Sequence, residues 1–261
     1  MRGAIGGTIV GLVLSLGPVE PAAAACAPDS VTSGTVCMDA YEASVWHVPS
    51  TQRTLIRKIQ KGTVTLANLT AGGAVQLGLA TGDLAAAGCP VTGNGCVDFY
   101  AVSIPGVLPA AYISWFQAAA AARNSLKRLP TNQEWQVAAL GTPDGFPCNV
   151  NSAGVANTGS AAGCVSDVGA FDMVGNLYEL VADWGDKANS CGPPTPTWSA
   201  TFGSDQSCVG GPGAPYSNFP GTSSRGGSFF TPGSGAGVFA VAAGGTPDEF
   251  GSGTFGFRCA R

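Results

Sequence analysis

Residues 112–139 read YISWFQAAAAARNSLKRLPTNQEWQVAA. Ser114 has the character of a helix N-cap, a short hydroxyl side chain able to accept an unpaired amide of the first turn. Trp115 to Leu126 follow it, with Ala118–Ala122 supplying the best helix formers in the chain. Lys127 and Arg128 then stand where cations favour a helix C-terminus. Thr131-Asn132-Gln133-Glu134 is a capping box, which opens a second short helix running through Leu140. Pro130 before the cap and Gly141 after the end agree with the rules for helix starts and stops.

Outside this stretch the sequence is loop-like. The 261 residues include 39 Gly and 18 Pro, which argues for a loop-rich fold and against a helical bundle. A hydrophobic fraction of 45% supports a packed core, in one domain by length. Charged residues make up only 11% and the net charge is −4, so no basic stripe exists for nucleic acid. The lone histidine, His47, excludes any site needing two His ligands from this chain, and its apolar neighbours Val45 and Trp46 suit a structural role.

Residues 1–25 read as a secretory signal. Arg2 is a minimal positive region, Ala4 to Leu16 is an apolar stretch too short to span a bilayer comfortably, and small residues Ala22–Ala25 suit cleavage. The mature chain, 26–261, is then expected outside the reducing cytosol, secreted or in the periplasm or cell envelope. Nine cysteines suit that compartment. Cys89–Cys96, Cys148–Cys164 and Cys191–Cys208 form short-range pairs in Gly/Pro/Asn-rich segments. Each closure is worth about 2–3 kcal/mol in the loop-entropy model. Cys37 and Cys259, near the two chain ends, are expected to join terminal strands, which leaves Cys26 over. The alternatives are Cys26–Cys37 with Cys259 free, or a lipidated Cys26, although Ala23 stands where a lipoprotein signal usually has Leu. No C-x-x-C occurs, so disulfides rank above zinc.

Thr35 to Val48 predicts one or two strands. Residues 49–105 form a variable segment holding a basic cluster, Arg53, Arg57, Lys58 and Lys61, which reads as a solvated face. Residues 141–261 are mostly turns and short strands, with no internal repeat.

Five ordered blocks carry a family resemblance. They are MDAYEAS (38–44), the 112–139 stretch, GAFDMVGNLYELVADW (169–184), SRGGSF (224–229) and GFRCAR (256–261). Together they resemble the formylglycine-generating enzyme, or sulfatase-modifying factor, superfamily. The resemblance implies an α+β variant of the C-type lectin-like fold, with few helices, small antiparallel sheets and terminal strands side by side. By the same resemblance Trp115, Trp135 and Trp184 are core residues, and Arg225 and Arg258 are structural arginines paired with carboxylates such as Glu42 or Asp183.

The family's best-known activity oxidises a substrate cysteine using copper on two thiolates that follow the RGGS block. Carried onto this chain, those positions are Thr231 and Ala236, and neither side chain can hold Cu(I). A second branch uses iron on three histidines, which this chain lacks. The stretch 233–245, GSGAGVFAVAAGG, offers no titratable group for acid–base chemistry. What the resemblance does retain is a structural calcium site, with the side chains of Asp172 and Glu179, the carbonyls of Gly175 and Leu177, and Asn157 for a second ion. Oxygen donors clustered in a turn suit Ca²⁺. The expectation is an exported, disulfide-stapled, calcium-stabilised monomer without copper or three-histidine iron, acting as a binding or envelope-associated module. Its partner is an exported peptide, protein or small molecule, with no nucleic acid and no transmembrane helix. The alternative is an enzyme modifying such a peptide or small molecule in the same cleft by non-copper chemistry.

Overall fold

The computed structural model describes residue 3 and residues 25–186, 207–208, 220–248 and 253–261. The expected signal, apart from Gly3 and Ala25, lies outside the described residues, as does Cys191; of Cys208 only the backbone is described.

Strands β1 (Ser30–Ser33) and β2 (Val36–Asp39) form an antiparallel hairpin. Its turn passes through Gly34 at φ +59°, a left-handed conformation that costs glycine nothing. The C-terminus returns to this hairpin. Cys37 and Arg261 exchange backbone hydrogen bonds at 3.1 and 2.9 Å, and Ala260 bridges both Met38 and Arg128.

Strand β3 (Ser44–His47) sits between β4 (Val75–Leu77) and β5 (Phe99–Val102) in a three-stranded antiparallel sheet. The 49–105 segment also holds helices α1 (Arg53–Gln60), α2 (Leu66–Ala71) and α3 (Asp83–Ala86). Leu55 and Ile59 of α1 are buried with Trp46, Val48, Val64 and Leu69. Helix α4 (Trp115–Asn124) packs its alanines with Val45, Phe99 and Ala101. Helix α5 (Asn132–Ala139) carries the capping box expected of Thr131 and Glu134.

Five strands make the second sheet: β6 (Tyr178–Asp186), β7 (Ser207–Cys208), β8 (Pro220–Gly226), β9 (Gly237–Gly245) and β10 (Phe255–Phe257). Their order is β10-β6-β8-β9-β7, with β6–β8 and β8–β9 antiparallel. Trp135, wholly buried, joins α5 to this sheet in a cluster with Met173, Val174, Val181 and Ala236.

Several expectations need correction. Cys37 bonds to Cys26 (S–S 2.02 Å), not to Cys259, which is a buried free thiol. The reason is register. Cys37 faces Arg261, while Cys259 faces Asp39 through a 2.8 Å backbone bond. A diagonal pair of this kind lies roughly 7–8 Å apart, beyond disulfide reach. Cys89 is joined to Cys96 and Cys148 to Cys164. Helix α4 stops at Asn124 because Leu126 takes φ +56°, so Lys127 turns inward instead of facing the helix end. Trp184 is 44% exposed, not a core residue; it meets Trp115 and Phe116 edge-on at 5.0 and 5.7 Å.

Candidate functional site

Strand β8 ends in two consecutive left-handed glycines, Gly226 and Gly227, at φ +83° and +82°. A Cβ on Gly226 would lie 2.6 Å from the Met173 carbonyl oxygen, and one on Gly227 would lie 2.5 Å from Ala236. The RGGS block therefore serves close backbone approach. Beyond it the chain turns through Ser228–Thr231, with the Thr231 amide donating to the Ser228 carbonyl at 3.0 Å. The Thr231 hydroxyl accepts from the Ser228 amide (3.0 Å), shares a contact with the Ser228 hydroxyl (3.0 Å) and donates to the Tyr178 phenol (3.2 Å). Tyr178 stacks on Phe255 with ring centres 5.3 Å apart. Ala236 is buried against Gly227. The two positions where the family pattern wants thiolates thus hold a hydroxyl engaged by three groups and a methyl packed on backbone.

Beside this turn lies a cavity of about 320 Å³ lined by Leu79, Leu108, Tyr112, Val155 and Phe229, among others. Phe229 is fixed by backbone bonds to Asn176 and Ser152 at 2.9 and 2.7 Å. Phe230 is 73% exposed. The cavity's side chains are apolar but for the Tyr112 phenol, while polar atoms make up much of the exposed lining, and it supplies no general base.

Beneath the turn lies a buried charge cluster built by the 169–184 block. Asp172, Gly175 and Asn176 all take positive φ, at 58°, 77° and 54°. This coils the chain so that Asn176 reaches three neighbours: its side-chain oxygen accepts from Asn149 and the Ala156 amide, and its side-chain nitrogen donates to Glu42. Glu42 also accepts from the Leu177 amide at 3.0 Å. Glu179 accepts from Trp135 Nε1 at 2.6 Å and from Arg258 Nε and Nη2 at 2.6 and 2.5 Å. Asp172 accepts from the Gly159 amide at 2.6 Å. Burial, with repulsion from Asp172 and Glu179, pushes the Glu42 carboxyl well above its ordinary range. Burial likewise pushes Asp172 up to about 6. Three carboxylates thus surround one guanidinium.

The calcium expectation meets this geometry unevenly. Asp172 spends a short bond on the Gly159 amide, and among the described residues no group of three or more His, Cys, Asp or Glu could hold a metal ion. Glu179 does not fit as a ligand, because Arg258 and Trp135 engage both of its oxygens. Asn157 is exposed on the loop that covers Asp172, its carbonyl closing a turn with Ser160. The expected pairing of an arginine with an internal carboxylate holds for Arg258, with a different carboxylate. Arg258 pairs with Glu179, not Glu42, while Arg225 lies over the Trp135 ring at 4.8 Å and donates to Gln136 and to the Ala240 carbonyl. Asp183 instead accepts from the Asn132 amide at 2.6 Å.

Sequence reasoning missed a second buried cluster. The Lys127 ammonium, with no exposed side-chain surface, lies 2.6 Å from both Asp29 and Asp39. Arg261 holds the other side of Asp29 at 2.8 Å. The available signal was Asp39, set between Met38 and Ala40, a charge whose apolar neighbours suit burial better than a surface.

Residues 30–261 match the family model described as a sulfatase-modifying factor enzyme 1-like domain. The chain belongs to that family, and its loop-rich architecture with small sheets and few helices is the family's C-type lectin-like fold. No curated protein matches it. Among solved structures it is similar to the Major Tropism Determinant I1 variant (21% identity, TM-score 0.41), covering 57% of this chain and 37% of that one. The U1 variant (19%, TM-score 0.43) covers 92% and 54%. CarF (18%, TM-score 0.39) covers 87% and 85%. The chain therefore spans between about a third and a little over half of the tropism determinants it resembles.

Proposed function

We propose that this protein is an exported binding module on the sulfatase-modifying factor scaffold, without the copper-dependent oxidase activity of that family. The observation that carries the reading is the state of Thr231 and Ala236. The first spends its hydroxyl on Ser228 and Tyr178, and the second is a buried methyl. Soft Cu(I) needs thiolate or thioether donors, and neither residue supplies one. The adjacent cavity, with apolar side chains and exposed polar atoms in its lining, fits a side chain of an exported peptide or protein, or a small molecule of similar size. The disulfides Cys26–Cys37, Cys89–Cys96 and Cys148–Cys164 support an oxidising compartment. Among the described residues no helix is long and apolar enough to cross a membrane. The protein acts as a monomer in this reading.

Calcium enters the reading through Asp172 and the carbonyls of Gly175 and Leu177, with Glu179 left to Arg258. Support comes from Asp172, a buried carboxylate whose hydrogen-bond donor among the described residues is the Gly159 amide.

Anaerobic Cu(I) titration tests the main reading. The expected result is no stoichiometric tight binding, and no oxygen uptake when a cysteine-containing peptide is added. Tight one-to-one copper binding would overturn it. For calcium, a chelator is expected to lower the melting temperature of the wild type but not of Asp172→Asn. Identical responses in the two proteins would remove the ion from the reading.

A further inference from the structure

Residues 43–82 contain Arg53, Arg57, Lys58 and Lys61 but no Asp or Glu. A chain of net charge −4 therefore carries +4 on this segment and −8 on the remainder. Helix α1 organises that charge. Its inward face buries Leu55 and Ile59, which turns Arg53, Arg57 and Lys61 outward, all three exposed. They recur every four residues, so they form a row on one side of the helix, rising about 6 Å per step. None of the three has an ion-pair partner among the described residues. Lys58, beside the row, donates to Asn68 of α2 at 3.2 Å.

Like charges four residues apart destabilise the helix that carries them. No ion pair among the described residues offsets that repulsion; the helix C-terminus favours Arg57, and an external anion would favour all three. The row lies on a convex helix face, not in a pocket, so it suits an extended anionic surface better than a single small anion. Beside it lie Lys58, the Arg261 guanidinium on the Gln60 carbonyl and Asp29 against Gly62, and Leu66 at the start of α2 is 43% exposed. A bilayer presents phosphates across an area and accepts an apolar side chain between them; a soluble acidic chain uses only the charge.

We propose that the Arg53–Arg57–Lys61 face docks this protein on an anionic phospholipid bilayer. The inference rests on the exported, envelope-associated reading for where such a bilayer is met, but the surface is independent of the copper question, and the test reads the surface alone.

The full chain is compared with an R53Q/R57Q/K61Q variant by co-sedimentation with two kinds of vesicle. One is phosphatidylglycerol and phosphatidylcholine in equal parts, the other phosphatidylcholine only. Each basic residue near an anionic surface is worth about fivefold in partitioning, so the triple variant is expected to bind mixed vesicles about 100-fold more weakly. Binding of the unmodified chain is also expected to collapse at high salt. Any contribution from the N-terminal stretch, Arg2 included, appears equally in both proteins. Matching melting temperatures will show that the variant, changed only at exposed positions, stays folded. Equal binding of the two proteins to mixed vesicles, or no binding at low salt, overturns the proposal. Tighter binding to polygalacturonate than to mixed vesicles overturns it in favour of an acidic glycan.

Discussion

Replacing Lys127 by Met is expected to destabilise the fold by about 3–5 kcal/mol at neutral pH, the range found when one partner of a buried ion pair is removed. The geometry says which group suffers. Lys127 lies 2.6 Å from both Asp29 and Asp39. Asp29 would keep Arg261, whereas Asp39, with 1% of its side chain exposed, would keep the Cys259 amide but lose its cation. At about 2–4 °C per kcal/mol for a chain of this length, the melting temperature should fall by about 6–20 °C. The pH dependence follows from the shifts. Burial already pushes the Asp39 carboxyl above its ordinary value, and losing Lys127 pushes it further. A folded state that holds this proton more tightly than the unfolded chain suffers the penalty above the folded pKa and is relieved as pH falls through it. In the wild type Asp29 behaves oppositely. Burial opposes its charge, but Lys127 and Arg261 hold it below its ordinary value, so its contribution is present at neutral pH and lost as pH falls. Burial also opposes the Lys127 charge, yet Asp39 and Asp29 hold its pKa up, so its contribution stays intact throughout the acid range. The gap between wild type and Lys127→Met should therefore be widest near neutrality and narrow toward acid. Thermal melts followed by circular dichroism across that range will read it. The double variant D39N/K127M should recover at least half of the loss. A cost below about 1 kcal/mol, or a further loss on adding Asp39→Asn, would refute the reasoning.

Other outcomes follow from the same structure. Peptide mapping without reduction should find Cys26 linked to Cys37, and Cys259 should resist alkylation until the protein is unfolded. Gly175→Ala should destabilise by more than 1 kcal/mol, since left-handed backbone alone costs a side chain about that much and the new methyl would lie 2.5 Å from the Asn149 carbonyl oxygen; chemical denaturation measures it. Thr131→Ala removes the hydroxyl that accepts the Glu134 amide at 3.2 Å. It should cost about 1 kcal/mol, a drop of about 2–4 °C in a melt.

The capping boxes were legible because they are local: Thr131 and Glu134 meet across one turn, whatever surrounds them. Ser114 is also a boxed cap, with Gln117 as its partner. The 49–105 segment was opaque for the opposite reason. Strand β4 has three residues and α1 eight, too short to show a period, and β5 is held by a partner 58 positions away, at Ser44. At the candidate site, the RGGS turn and the absent thiols could be read from residue identity. The partner of Glu179 could not, because Arg258 reaches it across 79 positions and only the assembled fold shows which carboxylate it meets. The Cys37–Cys259 expectation failed on the same kind of information. Both residues do come to neighbouring strands, but a two-residue offset in pairing decides which sulfur is in reach.

The last seven residues close the molecule at its beginning. Ala260 lies between Met38 and Arg128, and β10 runs beside β6. The contacts that seat the hairpin against residues 259–261 therefore join segments about 220 positions apart in the chain. Closing that seam carries a long loop-closure cost, whereas the cluster of Trp46, Leu55, Ile59, Leu69 and Tyr100 draws only on residues 46–107 and needs no such closure.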